Sequence, residues 1–185
     1  MRVLVYGFGP YRQFRDNITA KIIKRLPESG DLRKCIFPVR FNHTQFVGAL
    51  RRHRPDVVLG LGQSSRRKIE IEMRAANRKR AMERGRPRRI SMTGPKWLRT
   101  TLEIKTGQQA GKSTNAGDYV CNYSMYVMLG HIAREHLGIS FGFVHIPHDY
   151  NRQRAGRLVR RILRQCAGRA RRAGAGQNVA LSPTS

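Results

Sequence analysis

Acidic residues are what this sequence most conspicuously lacks: 11 Asp and Glu stand against 37 Lys and Arg in 185 residues, a formal charge of +26. Such an excess draws nucleic acid, anionic lipid or acidic protein towards the chain, but it specifies no fold and names no function. Cysteine is scarce, and Cys35, Cys121 and Cys166 form no CxxC pair, which excludes a disulfide framework. Long hydrophobic runs are missing too. A membrane-spanning helix needs roughly 18–20 apolar residues, and no stretch approaches that. The opening MRVLVYGFGP breaks its short apolar run at Gly7, Gly9 and Pro10 with no small-residue cleavage site behind it, so no signal peptide is expected and the expected location is cytoplasmic. What remains is 39% hydrophobic residues, enough for the core of one compact domain over residues 1–172. Residues 173–185, rich in Gly, Ala, Ser and Pro, are expected to be a disordered tail.

The apolar pattern alternates strands with helices. RVLVYG at 2–7 reads as a buried strand, and Ile18, Ile22, Ile23 and Leu26 keep helical spacing over 17–25, with Asn17 as N-cap and Pro27 as stop. A strand at Cys35–Val39, a helix over 44–53 and the run Val57, Val58, Leu59 complete a βαβαβ opening. This predicts a single-domain three-layer α/β/α sandwich with a mostly parallel, mixed central sheet, whose site lies at the carboxyl ends of strands. KIEIEMRA alternates Ile69, Ile71 and Met73 with Glu70, Glu72 and Arg74, which is strand periodicity with a charged face that needs partners. Residues 78–112 decay into a long loop with one short strand at Thr101–Lys105. A helix over Tyr119–Leu137 follows, capped by Asp118 or Asn115, then a strand at Ile139–Val144 running into His145 and a last helix over 151–170. No internal repeat is visible.

Three suggestive patterns fail on spacing. GQQAGKST at 107–114 has three residues between its glycines where a phosphate-binding P-loop needs four. Gly7 and Gly9 lack the third glycine of a dinucleotide fingerprint. His145, His148 and Asp149 lack a fourth ligand for a metal, so neither metal nor cofactor is expected.

A different grouping carries chemistry. A nucleophilic thiolate is stabilised by the free amides and dipole at a helix start, where Cys121 sits after the turn-like Asn115, Ala116 and Gly117. Cys121 also reads as a small buried hydrophobe, as most free cysteines are. His145, at a strand end, suits a general base and acid or a structural histidine. Glu70 and Glu72 both qualify as the carboxylate that orients it.

These residues carry a resemblance. NAGDYVCNYSMY at 115–126 and GFVHIP at 142–147 resemble the signatures of the pyroglutamyl peptidase family, cysteine peptidases that remove an N-terminal pyroglutamate. VLVYGFGPY, Asn17 with Thr19, FPV at 37–39, PDVVLGLGQ at 55–63 and IEIEMRAAN at 69–77 resemble further family segments in the family's order, so that the likeness covers most of 2–77 and 113–165. The resemblance implies Cys121 as nucleophile, His145 as general base and Glu72, five residues before Asn77, as the orienting carboxylate. It implies Phe8, Tyr11 and Val120 around the lactam ring with Gln63 beside it, the Cys121 amide as oxyanion donor, and peptides with an N-terminal pyroglutamate as substrates. It also implies homo-oligomers such as the tetramers of bacterial relatives, although the excess charge opposes close packing of like subunits. The sequence departs from the family at Arg12 and Gln13, where the family has Gly-Gly, and over 78–112, where Met82 replaces a site arginine and Arg80 or Arg84 are the substitutes. The alternative reading is a weakened family member that binds nucleic acid or other anions through Arg78–Arg89 and the arginines of the last helix.

Overall fold

The computed structural model describes residues 1–11, 14–81 and 86–175. Arg12, Gln13, Met82, Arg84 and the tail from 176 lie outside the described residues. The element order is β1 (Val3–Phe8), α1 (Ile18–Lys24), β2 (Leu32–Phe37), α2 (His43–His53), β3 (Val57–Ser64), β4 (Glu70–Glu72), β5 (Arg74–Ala76), β6 (Trp97–Arg99), β7 (Gly111–Ser113), α3 (Val120–Arg134), β8 (Ser140–Pro147) and α4 (Arg152–Ala175). Six strands form one sheet in the order β2-β1-β3-β8-β4-β7. β2, β1, β3 and β8 run parallel, β4 is antiparallel to β8, and β7 is parallel to β4. The sheet is therefore mixed and mostly parallel, as the βαβαβ pattern predicts.

Period-two alternation sorts the core into two faces. Leu4, Tyr6 and Phe8 of β1, Val58 of β3, and Phe141 and Phe143 of β8 pack with α2 and α3. Val3 and Val5, Val57, Leu59 and Leu61, and Val144 and Ile146 pack on the other face with α1 and α4. His145 therefore belongs, by parity, to the α3 face. The three layers follow from this sorting. α4 buries Ala155, Leu158, Val159, Ile162 and Cys166, while Arg154, Arg157, Arg161 and Arg164 line a surface depression with Gln109 and Tyr150, on the sheet face away from α3. Among the described residues no helix is long and apolar enough to cross a membrane.

The predicted elements are revised at several places, among them the second strand, which runs over Leu32–Phe37 and ends before Pro38 instead of spanning Cys35–Val39. KIEIEMRA is not one strand: Met73 is 36% exposed, its N–H goes to Ser113 O, and the chain leaves the main sheet there to form a two-stranded antiparallel ribbon, β5 with β6. Thr101–Lys105 makes no ladder, because Thr101 N and Leu102 N both donate to the single acceptor Phe141 O, and the strand lies earlier, at Trp97–Arg99. The described part of 78–112 is held by specific hydrogen bonds that its composition does not announce. Asn77 accepts from Ile90 N and Ser91 N and donates to Ser91 O and Gly94 O, pinning residues 90–94. The P-loop look-alike is a 3-10 turn at Gly107–Gln109 and the edge strand β7. Finally, α4 continues to Ala175, so that its last residues overlap the segment expected to be tail.

The aromatic layer under α2 gives a direct measure of this packing. Phe46 is fully buried with rings of Phe8, Phe37 and Tyr123 at 5.1–6.5 Å. Phe46→Ala is expected to cost about 3–5 kcal/mol, read as a lower urea midpoint with an unchanged m-value.

Candidate active site

His145 stands three-quarters of the way along β8, opposite Gly62 of β3 on one side and Glu70 of β4 on the other. Both neighbours matter for where its ring goes. Directly opposed residues in a sheet share a face, so Glu70 and Glu72 project to the same side as His145 and Phe143. The diagonal carboxylate, not the opposite one, makes the contact: Glu72 Oε1 lies 2.7 Å from His145 Nδ1, with the carboxylate 0% and the imidazole 4% exposed. On the β3 side, a Cβ on Gly62 would fall 2.7 Å from the imidazole Cδ2 and 2.8 Å from Nε2. The glycine leaves the space into which the ring lies.

Arg66 completes the charge balance that the acidic strand needs. Its Nη1 donates to Glu72 Oε1 at 2.9 Å and to Ser113 Oγ at 3.1 Å and pairs with Glu70, while Nη2 donates to the carbonyl of Asn115. Burial pushes the Glu72 carboxyl up, but the hydrogen bond and charge of His145, with help from Ser113 and Arg66, hold it below the ordinary range. An acceptor-only carboxylate at Nδ1 fixes a proton there and turns Nε2 towards whatever lies beyond. Burial pulls His145 down. The charge of Cys121 and its hydrogen bond to the imidazole, followed by the hydrogen bond and charge of Glu72, outweigh that and raise it to about 9.

Cys121 is the second residue of α3, half-buried. Neither expected cap is used. The N-cap position is Tyr119, without a side-chain hydrogen bond to the first turn. Asn115 Oδ1 instead accepts from Gly117 N, whose φ is 82°, and Asp118 pairs with Arg80 at 3.1 Å. The N-cap residue thus leaves the first-turn amides around Cys121 without its own side-chain cap, and the partial positive charge of the helix start lies beside the thiol. Asn122, fully buried, ties this turn to β5: it accepts from Ala76 N and donates to Ala76 O and Arg78 O, each at 2.8 Å. Ser124 Oγ sits 2.8 Å from Cys121 O and 3.0 Å from the Tyr6 hydroxyl.

A second thiol–imidazole contact shows what the first one has. Cys35 Sγ lies 3.6 Å from His53 Nε2. Burial raises that thiol against the pull of Arg52, while burial, Arg52 and Arg33 all lower the imidazole. Among the described residues no carboxylate pairs with this ring, and both shifts favour the neutral thiol and neutral imidazole.

The four residues implied around a lactam ring are distributed unevenly. Phe8 and Val120 are buried in the core cluster below α2 and α3. Tyr11 packs on Tyr119 with ring centroids 5.3 Å apart, and Tyr119 in turn meets Phe41 at 5.6 Å. Gln63 ends β3 with its Oε1 accepting from Ile18 N at 2.9 Å, which leaves its amide N–H groups as donors. Tyr119, Arg66, Asn122 and Gly62 escape a reading of the sequence. The need for a cation opposite Glu70 and Glu72 is visible there, but four basic residues between 66 and 74 satisfy it equally. Among the described residues no group of three His, Cys, Asp or Glu side chains converges as a metal site.

A mostly parallel sheet that carries a carboxylate-held imidazole on β8, near a cysteine in the first turn of a helix, fits a thiol hydrolase. The pyroglutamyl peptidase family model matches residues 1–154, and the chain belongs to that family. The pyrrolidone-carboxylate peptidase of Bacillus velezensis is 32% identical over 168 residues, covering 80% of this chain and 78% of the relative. Pyroglutamyl peptidase I of Bacillus amyloliquefaciens superposes with a TM-score of 0.78 at 26% identity, covering 87% of this chain and 92% of that one. The pyrrolidone carboxyl peptidase of Thermococcus litoralis gives 0.71 at 25% identity over 79% and 76% of the two chains.

The space at Gly62 has a spectroscopic consequence. The Nδ1–H proton shared with Glu72 is expected to give a low-field proton resonance. Gly62→Ala should abolish or shift it, as Glu72→Gln does, because the ring must move. Gly48→Ala, where nothing lies within 4 Å, should leave it in place.

Proposed function

We propose that this protein is a cysteine peptidase that releases pyroglutamate from the N-terminus of peptides, with Cys121 as nucleophile, His145 as general base and acid, and Glu72 as the residue that orients the imidazole. The observation that carries the reading is the run of contacts from Arg66 to Glu72 and from Glu72 to His145, with the Cys121 thiol close enough to raise the imidazole pKa. Membership of the pyroglutamyl peptidase family sets the substrate class.

The chemistry follows from the proton positions. With Glu72 ionised and His145 protonated to about pH 9, the imidazolium supports a Cys121 thiolate through Nε2. The thiolate attacks the carbonyl carbon of the pyroglutamyl residue, and the developing oxyanion accepts from the uncapped amide of Cys121. Collapse of the tetrahedral intermediate breaks the C–N bond as Nε2–H protonates the departing amine. Neutral His145 then takes a proton from water, whose hydroxide attacks the thioester, and thiolate, imidazolium and free pyroglutamate result. The lactam carries no charged amine, so its recognition needs apolar walls and an amide partner rather than an acidic anchor. Tyr11, Phe8 and Val120 supply the former, and the N–H groups of Gln63, whose Oε1 is turned to Ile18 N, the latter. No metal or cofactor enters this scheme, and a cytoplasmic setting suits a thiolate enzyme.

Hydrolysis of pyroglutamyl-aminomethylcoumarin tests the assignment. Cys121→Ala is expected to lose at least about a thousandfold in kcat/KM, and Cys166→Ala to retain turnover that iodoacetamide abolishes. Equal activity in Cys121→Ala refutes the mechanism.

The proton inventory predicts the alkaline limb. Above the pKa of His145, near 9, the leaving amine loses its acid, so kcat/KM should fall as pH rises through that value. In Glu72→Gln the hydrogen bond to a charged carboxylate is gone, and whatever activity remains should fall at lower pH than in the parent. A limb that does not move would separate Glu72 from the titrating group.

A further inference from the structure

The loop that delivers Cys121 to the site is held by four arginines. Arg66 reaches the carbonyl of Asn115, Arg74 Nε donates to Thr114 O at 3.0 Å, Arg78 donates to Asn115 Oδ1 at 2.6 Å and to Gly117 O at 3.3 Å, and Arg80 pairs with Asp118 at 3.1 Å. These contacts are of two electrical kinds. Arg66 and Arg80 face carboxylates, which offset their charge. Arg74 and Arg78 donate to neutral carbonyl and amide oxygens, and Lys79 lies over the Tyr123 ring at 5.7 Å. Among the described residues no ion pair includes Arg74, Arg78 or Lys79. These charges are spent on geometry without a carboxylate among the described residues to offset them, beside the turn that carries Cys121.

A substrate meets that field with one particular part of itself. The pyroglutamyl ring is the end of the peptide and is uncharged, so the ring is the part that goes inward. Everything after the scissile bond must leave the site across the surface next to Cys121. We infer that the enzyme prefers pyroglutamyl peptides with Asp or Glu in the first two positions after the pyroglutamate, and that Arg74, Arg78 and Lys79 set this preference. The inference rests on the peptidase reading above and adds the chemical class of the leaving peptide. A cluster with Arg78 exposed and Arg74 and Lys79 half-buried acts through steering as well as contact, so the preference appears in kcat/KM and weakens as salt screens it.

The test compares pyroglutamyl-Ala-Ala-amide, pyroglutamyl-Asp-Ala-amide and pyroglutamyl-Lys-Ala-amide at low and high ionic strength. At low salt the aspartyl peptide is expected to exceed the alanyl one about tenfold in kcat/KM, with the lysyl peptide below both, and high salt should compress the series. Lys79→Gln, which touches no loop carbonyl, and Arg78→Gln should each lower the aspartyl-to-alanyl ratio. Arg157→Gln on α4, across the sheet, should leave that ratio as it is. An aspartyl-to-alanyl ratio of one or less, or an Arg157→Gln effect as large as that of Lys79→Gln, overturns the inference while the peptidase reading stands. No turnover of any pyroglutamyl peptide, the neutral one included, overturns both.

Discussion

Glu72 is fully buried, and a carboxylate in that position has to be paid for by partners: an ion taken out of water costs several kcal/mol even after the protein relaxes around it. Two cations meet it, His145 at 2.7 Å and Arg66 at 2.9 Å on the same oxygen. Much of the local architecture can be understood as holding this trio together. β4 lies antiparallel to β8, which brings Glu72 diagonally beside the imidazole. β7 pairs with β4 and presents Ser113 to the guanidinium, and Asn115, two residues on, receives its other nitrogen. The same arginine thereby links the acid that orients the imidazole to the loop that positions the thiol.

How far the sequence reveals this depends on the length of the pattern that carries each feature. The four long parallel strands and the helices between them are legible because five to eight residues of unbroken apolar or alternating character leave little choice. Cys121 and His145 are legible because each sits at a boundary that such patterns define, and the preference for Glu72 over Glu70 came from family likeness, which the diagonal contact in the sheet accommodates. Three-residue strands have no such signature. Trp97–Arg99 and Gly111–Ser113 exist only because β5 and β4 offer them ladders, and the tertiary partner decides the local structure. The split at Met73 is invisible for the same reason, since alternation continues through it while the chain changes sheets.

The arginine content divides by location. Around the site, guanidinium groups act as multidentate clamps on backbone oxygens, a task for which their fixed fork of donors suits them better than lysine. On α4, Arg154, Arg157, Arg161 and Arg164 line the outer face of a helix whose inner face fills the core. The family match ends at residue 154, so nearly all of this helix lies beyond it. The arginines of this helix lie on the sheet face away from the thiol–imidazole arrangement.

The order of strands places β2 and β7 at the two margins of the sheet, where backbone N–H and C=O groups have no further strand to bond. Such margins invite another chain to add itself. Here one margin carries Arg33 and Lys34, and the other is three residues long with Lys112 at its centre. A second copy approaching either margin in register would bring lysine against lysine across the new ladder, with the desolvation that entails. The same bias that sets the net charge therefore discourages growth of the sheet from molecule to molecule.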